Sequence, residues 1–252
     1  MTISRTETRG GHSYRDDGVK VDGVTTLLND GFPKPALINW AANTTASYAI
    51  DHWDELAMQP ISDRMGKLKS ARFAHRDAAA RRGTEVHALA EQLIYGHEVE
   101  IPDEIAGHVE SYVRFLDTWK PTPVLVESVV AHRRWQYAGT LDMVVDLPDG
   151  RRVIADIKTT RSGIYPEAAY QLAAYAHAEV YLGDDGAEYP MPDLGIQGGL
   201  GIWVRGDGFD VYPVDISEQT HRAFLHIAYV ARQTKTNKAL VGDALDAPEV
   251  SP

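Results

Sequence analysis

The chain contains no cysteine. Disulfides, thiolate zinc sites and cysteine-ligated iron–sulfur clusters are therefore excluded, and a reducing cytoplasm is the expected setting. No apolar run approaches the length of a membrane span, so no membrane partner is expected. Met1 to Gly10 is polar and lacks the apolar segment of a signal peptide. There is no Gly-x-Ser-x-Gly elbow and no His-Glu-x-x-His pair, which argues against serine and zinc hydrolases. A Gly-x-x-x-x-Gly-Lys-Ser/Thr phosphate loop is also missing, so any motor must be borrowed. Basic charge is scarce: 25 Lys and Arg stand against 36 Asp and Glu, for a net charge of −11. That balance argues against a general polyanion binder.

What is present is a 252-residue chain with an ordinary apolar fraction of 44%, enough for one large domain or a core with a helical extension. Its few basic residues are clustered. Arg64, Lys67, Lys69, Arg72, Arg76, Arg81 and Arg82 face only Asp63 and Asp77 in the same stretch. Arg133, Arg134, Arg151, Arg152 and Arg161 lie on either side of the turn signal Pro148-Asp149-Gly150. Phosphate contacts need a local patch, not a basic protein. Arg72, Arg76, Arg81, Arg82 and Arg161 are the candidate DNA contacts.

Turn signals and periodicity predict a small hairpin over His12 to Thr26, then a helix from Val24 that Gly31 and Pro33 stop. Helices are predicted over Ala36 to Met58, Ser62 to His75, Asp77 to Tyr95 and Pro102 to Trp119. The pattern then turns to strands at Val124 to His132, Ala138 to Leu147 and Arg151 to Thr159. A helix over Pro166 to Leu182, a hairpin over Gly195 to Val214, and a helix capped by Ser217 and running to about Thr236 complete the reading. Apolar strand centres need cover on both faces. The expected fold is α/β (mixed α+β): a central mixed sheet of about five strands between helices. Residues 1–76 are read as an N-terminal hairpin and helical extension, 77–236 as the core, and 237–252 as a loose tail.

The most informative stretch is Gly139-Thr140-Leu141-Asp142, the turn Pro148-Asp149-Gly150, and Asp156-Ile157-Lys158. Leu147 closes onto Arg151 across three residues, with Gly150 at the left-handed position such loops favour. Counting outward sets Asp142 opposite Asp156. Two facing carboxylates weaken a sheet unless a cation lies between them. Alternation puts Lys158 on the face of Asp156. A hard divalent cation, Mg²⁺ or Mn²⁺, suits such oxygen donors, and the Ile157 carbonyl offers another. Upstream, His87 and Glu91 sit one turn apart on a predicted helix; downstream, Gln171 and Tyr175 do the same.

In order, the chain thus presents a Gly-x-x-x-His helix (Gly83, His87), a Gly-x-x-Asp strand (Gly139, Asp142), an Asp-x-Lys strand and a Gln-x-x-x-Tyr helix. The set resembles the PD-(D/E)XK nuclease superfamily, within it the RecB-like branch that includes CRISPR-adaptation nucleases and phage exonucleases. The motifs span Arg81 to Leu182. The resemblance implies a restriction-endonuclease-like core. It implies that His87, Asp142, Asp156 and the Ile157 carbonyl bind metal and that Lys158 is the catalytic lysine. Gln171 and Tyr175 would support the active site or the DNA strand. Glu127 sits where some relatives carry another acid, with Glu91 as a further supporting acid. The four-cysteine iron–sulfur cluster of several relatives cannot form here. The implied activity is metal-dependent cleavage of DNA, as an exonuclease in phage-type recombination, replication or repair. Its partners would be DNA and a recombination or replication protein, in the host cytoplasm if the chain is phage-encoded. A structure-specific endonuclease and a nuclease-fold binding module without turnover are the alternatives.

Overall fold

The computed structural model describes residues 2–8 and 11–245, without the side chains of residues 74, 75, 78, 238 and 239. Three strands open the chain: β1 (Ile3–Thr8), β2 (Gly11–Asp16) and β3 (Val19–Gly23). Four helices follow: α1 (Val24–Gly31), α2 (Pro35–Asp51), α3 (Trp53–Ala57) and the 34-residue α4 (Ile61–Ile94). The two helices expected on either side of Arg76 are therefore one. No proline or helix-stopping turn separates them, and Ala-rich Asp77-Ala78-Ala79-Ala80 favours continuation. A short 3₁₀ turn, Asp103–Ile105, leads into α5 (Ala106–Trp119).

The strand-rich part comprises β4 (Thr122–Val126), β5 (Val129–His132), β6 (Tyr137–Thr140), β7 (Met143–Asp146) and β8 (Arg152–Lys158). Then come α6 (Glu167–Ala176), β9 (Val180–Leu182), β10 (Glu188–Pro190), β11 (Gly198–Val204), β12 (Phe209–Val214) and α7 (Glu218–Thr234). The helix expected to reach Leu182 ends at Ala176, because the following residues pair with β5. Ser217 caps α7 as expected, accepting from the Thr220 amide at 3.3 Å. Of the expected tail, Asn237–Leu240 forms a 3₁₀ turn, and residues 246–252 lie outside the described residues.

The strands form two mixed sheets, not one of about five strands. One has the order β12-β11-β8-β7-β4, the other β1-β2-β3-β6-β5-β9-β10. The N-terminal strands join the second sheet, since β3 pairs in parallel with β6.

Helices cover both faces of the five-stranded sheet. Met143, Val145, Val153, Ala155 and Ile157 pack with Ala90, Ile94, Tyr112 and Phe115 of α4 and α5. The alternate residues Val144 and Ile154 pack with Leu172 of α6, Phe224 of α7 and Leu27 of α1. Burying each Val, Leu, Ile, Phe or Met among these contributes roughly 1.5–3 kcal/mol. Within the described residues, no helix is long and apolar enough to cross a membrane.

Candidate metal centre

The expected hairpin register is the one observed. Met143 pairs with Ala155 and Asp146 with Arg152. The Leu147 amide donates to the Arg151 carbonyl at 2.9 Å, and Gly150 takes φ +85° in the turn. Extending the ladder by one residue sets Asp142 opposite Asp156.

A second pairing crosses the first. The β4–β7 ladder ends at Val126 opposite Met143, and the β5–β6 ladder begins at Val129 opposite Thr140. Between them, the Glu127 amide donates to the Asp142 carbonyl at 2.8 Å and the Leu141 amide to the Ser128 carbonyl at 3.0 Å. The two ladders therefore form one long hairpin that leaves one sheet and enters the other at Glu127 and Asp142. Glu127 makes the bend with φ +48°, a conformation that costs a non-glycine residue energy. Three carboxylates, Glu127, Asp142 and Asp156, consequently stand on three neighbouring strand positions.

His87 enters from α4. Its Nδ1 lies 3.4 Å from the Asp142 carboxylate. One ligand atom from each of His87, Glu127 and Asp142 lies within 4.8 Å of the others, close enough to hold one cation. Asp142 also accepts from the Ile157 amide at 2.7 Å. Ile157 thus touches the centre through its N–H, where a carbonyl ligand was expected. Asp156 stands outside this triad. It is buried, and the Lys158 ammonium lies 2.9 Å from its Oδ1 and 2.8 Å from its Oδ2. Only Oδ1 is well aligned, leaving Oδ2 without a hydrogen bond. The Gln171 amide donates to Oδ1 at 3.1 Å, and its oxygen accepts from Lys158 at 3.3 Å. Gln171 also donates to the Tyr175 hydroxyl at 3.4 Å.

Gly139 has a packing reason. A Cβ there would lie 2.3 Å from Cε1 of Tyr175, so only glycine lets this ring reach the sheet. Burial holds the Tyr175 hydroxyl protonated.

The charges are strongly coupled. Burial alone would lower the His87 pKa, but the Asp142 charge outweighs it and raises the group to about 9. Burial opposes ionisation of Asp142, yet His87 and Lys158 hold it below the ordinary carboxylate range. Burial pushes Asp156 up to about 6 and Glu127 up to about 7, with Asp142 adding to both. Lys158 is raised: Asp156 and Asp142 outweigh its burial.

The remaining expected residues divide. Glu91 is exposed and reaches the centre only through its charge on Glu127. Arg72, Arg76 and Arg81 are exposed on α4, Arg82 is partly buried, and Arg161 is exposed after β8. Sequence reasoning missed Arg5, whose guanidinium lies 3.7 Å from Glu127 and donates to Thr140 at 3.2 Å. It also missed Tyr14, hydrogen-bonded to Thr140 at 3.0 Å, and Tyr112, whose buried hydroxyl has no partner among the described residues. No local motif marks them, because pairing of the N-terminal hairpin with β6 brings the first two there. Cavities of 710, 540 and 500 Å³ are lined by other residues, so the charged centre is not one of these concavities.

No protein-family model matches the chain, and no curated protein matches it. Among solved structures, one described as "Crystal structure of SSO0001" aligns over 62% of this chain and 71% of that one, at 14% identity and a TM-score of 0.31. A likeness that slight carries no argument about the fold or the function of this chain.

Proposed function

We propose that the protein is a metal-dependent DNA nuclease, acting as an exonuclease on linear ends. The observation that carries this reading is the convergence of His87, Glu127 and Asp142 within 4.8 Å, beside the Lys158–Asp156–Gln171 cluster. One imidazole with carboxylate oxygens suits Mg²⁺ or Mn²⁺, and Asp156 Oδ2, ion-paired with Lys158 at 2.8 Å but without a hydrogen bond, offers a further donor. Such a cation, when bound, neutralises charge at a scissile phosphate and lowers the pKa of bound water.

The protein groups then have distinct tasks. Lys158 stays charged and keeps some contact with solvent, which suits it to meet negative charge developing on a phosphoryl oxygen. It is poorly suited to accept a proton. Asp156 and Gln171 fix the ammonium, and Tyr175 backs Gln171. His87 must lose its proton before its nitrogen can ligate.

The test is incubation of end-labelled linear DNA and closed circular DNA with Mg²⁺ or Mn²⁺. Degradation of the linear form alone is expected. Asp156→Ala and Lys158→Ala should each slow it by about 10²–10³-fold with an unchanged circular dichroism spectrum. Variants that digest as fast as the parent would overturn the assignment. Nicking of the circle would replace the exonuclease with an endonuclease, and metal binding without any cleavage would leave a binding module.

A further inference from the structure

If the metal centre cleaves nucleic acid, the helix that carries His87 has a second task, which rests on that nuclease reading. At about 3.6 residues per turn, Lys69 precedes His87 by five whole turns and Arg76 by about three. Phe73 and Arg72 precede it by about four turns. All four therefore lie on or near the face that His87 presents to the metal centre. The same arithmetic turns Arg81 and Arg82 away, and the Arg82 charge acts on His108 of α5. Lys67 is also diverted, paired with Glu55 at 2.7 Å.

The stripe is built, not merely basic. Phe73 carries both neighbouring guanidiniums: Arg72 lies 4.7 Å and Arg76 4.8 Å from its ring centroid. A guanidinium carbon seated over a ring leaves N–H groups available for phosphate contact. Lys69 and Arg72 have no ion pair among the described residues. Arg76 shares its charge with Asp77 at 2.8 Å, an exposed pair of little worth that a phosphate can displace. On a chain of net charge −11, this exposed basic row stands out and is complementary to a polyanion.

We propose that Lys69, Arg72 and Arg76, with Phe73 as their mount, form a track for the phosphate backbone of the nucleic-acid strand, leading to the metal centre. At about 1.5 Å rise per residue, Arg76 lies ~16 Å and Lys69 ~27 Å from His87 along the axis. At ~3.4 Å per nucleotide of a helical strand, the track engages about five to eight nucleotides from the cleaved bond.

The experiment measures binding of labelled 20-nucleotide single strands and 20-base-pair duplexes by fluorescence anisotropy in EDTA, across a salt series. The full-length parent is compared with Arg72→Gln/Arg76→Gln, with Phe73→Leu, and with Arg222→Gln on α7 as a control for loss of an exposed arginine. The double variant should bind at least about tenfold more weakly, with a salt slope lower by roughly 1.4–1.8. Phe73→Leu should bind about threefold more weakly with an unchanged slope, because the charges remain. The control should match the parent. Parent-like affinity and slope in the double variant would overturn the track and leave the nuclease reading intact. A parent that neither binds in EDTA nor cleaves either substrate with Mg²⁺ or Mn²⁺ would overturn both.

Discussion

Two segments of similar apolar content meet opposite fates. Along β8, Val153 to Ile157 is buried at every position, between helices on either face. Helix α2 is also rich in apolar residues, yet it buries none: Ile38 is 71% exposed and Ile50 73%. The first segment is held by tertiary packing. The second owes its form to local propensity and to its contact with α4. The difference teaches where precision is needed. Asp156 and Lys158 sit on the packed strand, where a shift of one residue would turn them to the other face. The exposed helices have no such constraint.

The comparison is broken if truncation affects both segments equally. Ile154→Ala, in the fully buried centre of β8, should destabilise by about 2–5 kcal/mol in chemical denaturation. A loss below about 1 kcal/mol would mean that the sheet is loosely packed at its centre. Gly139→Ala should cost about 1–3 kcal/mol through collision with the Tyr175 ring. The matching double variant, Gly139→Ala with Tyr175→Leu, should recover part of it, and additive losses would refute the contact.

Metal binding gives a third measure, by calorimetry with Mn²⁺. His87, raised to about 9, must shed a proton on binding, so affinity should climb about tenfold per pH unit from pH 7 towards 9. Below about 7, Glu127 must also be deprotonated, and the climb should be steeper. A pH-independent affinity would remove His87 from the ligand set. The same shift carries a sign for stability without metal. Stabilisation by the raised His87 is complete below its unfolded pKa of about 6.5 and is lost as pH rises through about 9. His221 behaves oppositely. Burial lowers it to about 4, so its stabilisation is present above about 6.5 and is lost as pH falls towards 4. His221→Gln should flatten the acid limb of the unfolding midpoint. The smallest effect belongs to α2, where Ile38→Ala should change stability by no more than about 0.5 kcal/mol.

Much of the centre was legible because its signals are local. Leu147, Gly150 and Arg151 specify a tight turn, and strand alternation carries that register outward to Asp142 and Asp156 without long-range information. The one-turn spacing of Gln171 and Tyr175 likewise survives in α6. Other features escaped for physical reasons. The strand expected over Ala138 to Leu147 divides at Asp142, because its partner bends at Glu127 and the hairpin passes between sheets. Val180–Leu182 reads as helical by composition, but pairing with β5 makes it a strand. Glu127 and Arg5 came into place only through that bend and through the pairing of β3 with β6.

The chain by itself therefore determined the turn, the facing of Asp142 and Asp156, the side of the sheet that Lys158 shares, and the exclusion of thiolate ligands. Those features arise from spacing within about twenty residues and from composition. Tertiary structure alone decided that Glu127 joins His87 and Asp142, while Asp156 is drawn towards Lys158 and Gln171. The reason is that a ligand set depends on where strands from two sheets and a helix meet, and burial and pairing between distant segments settle that meeting point.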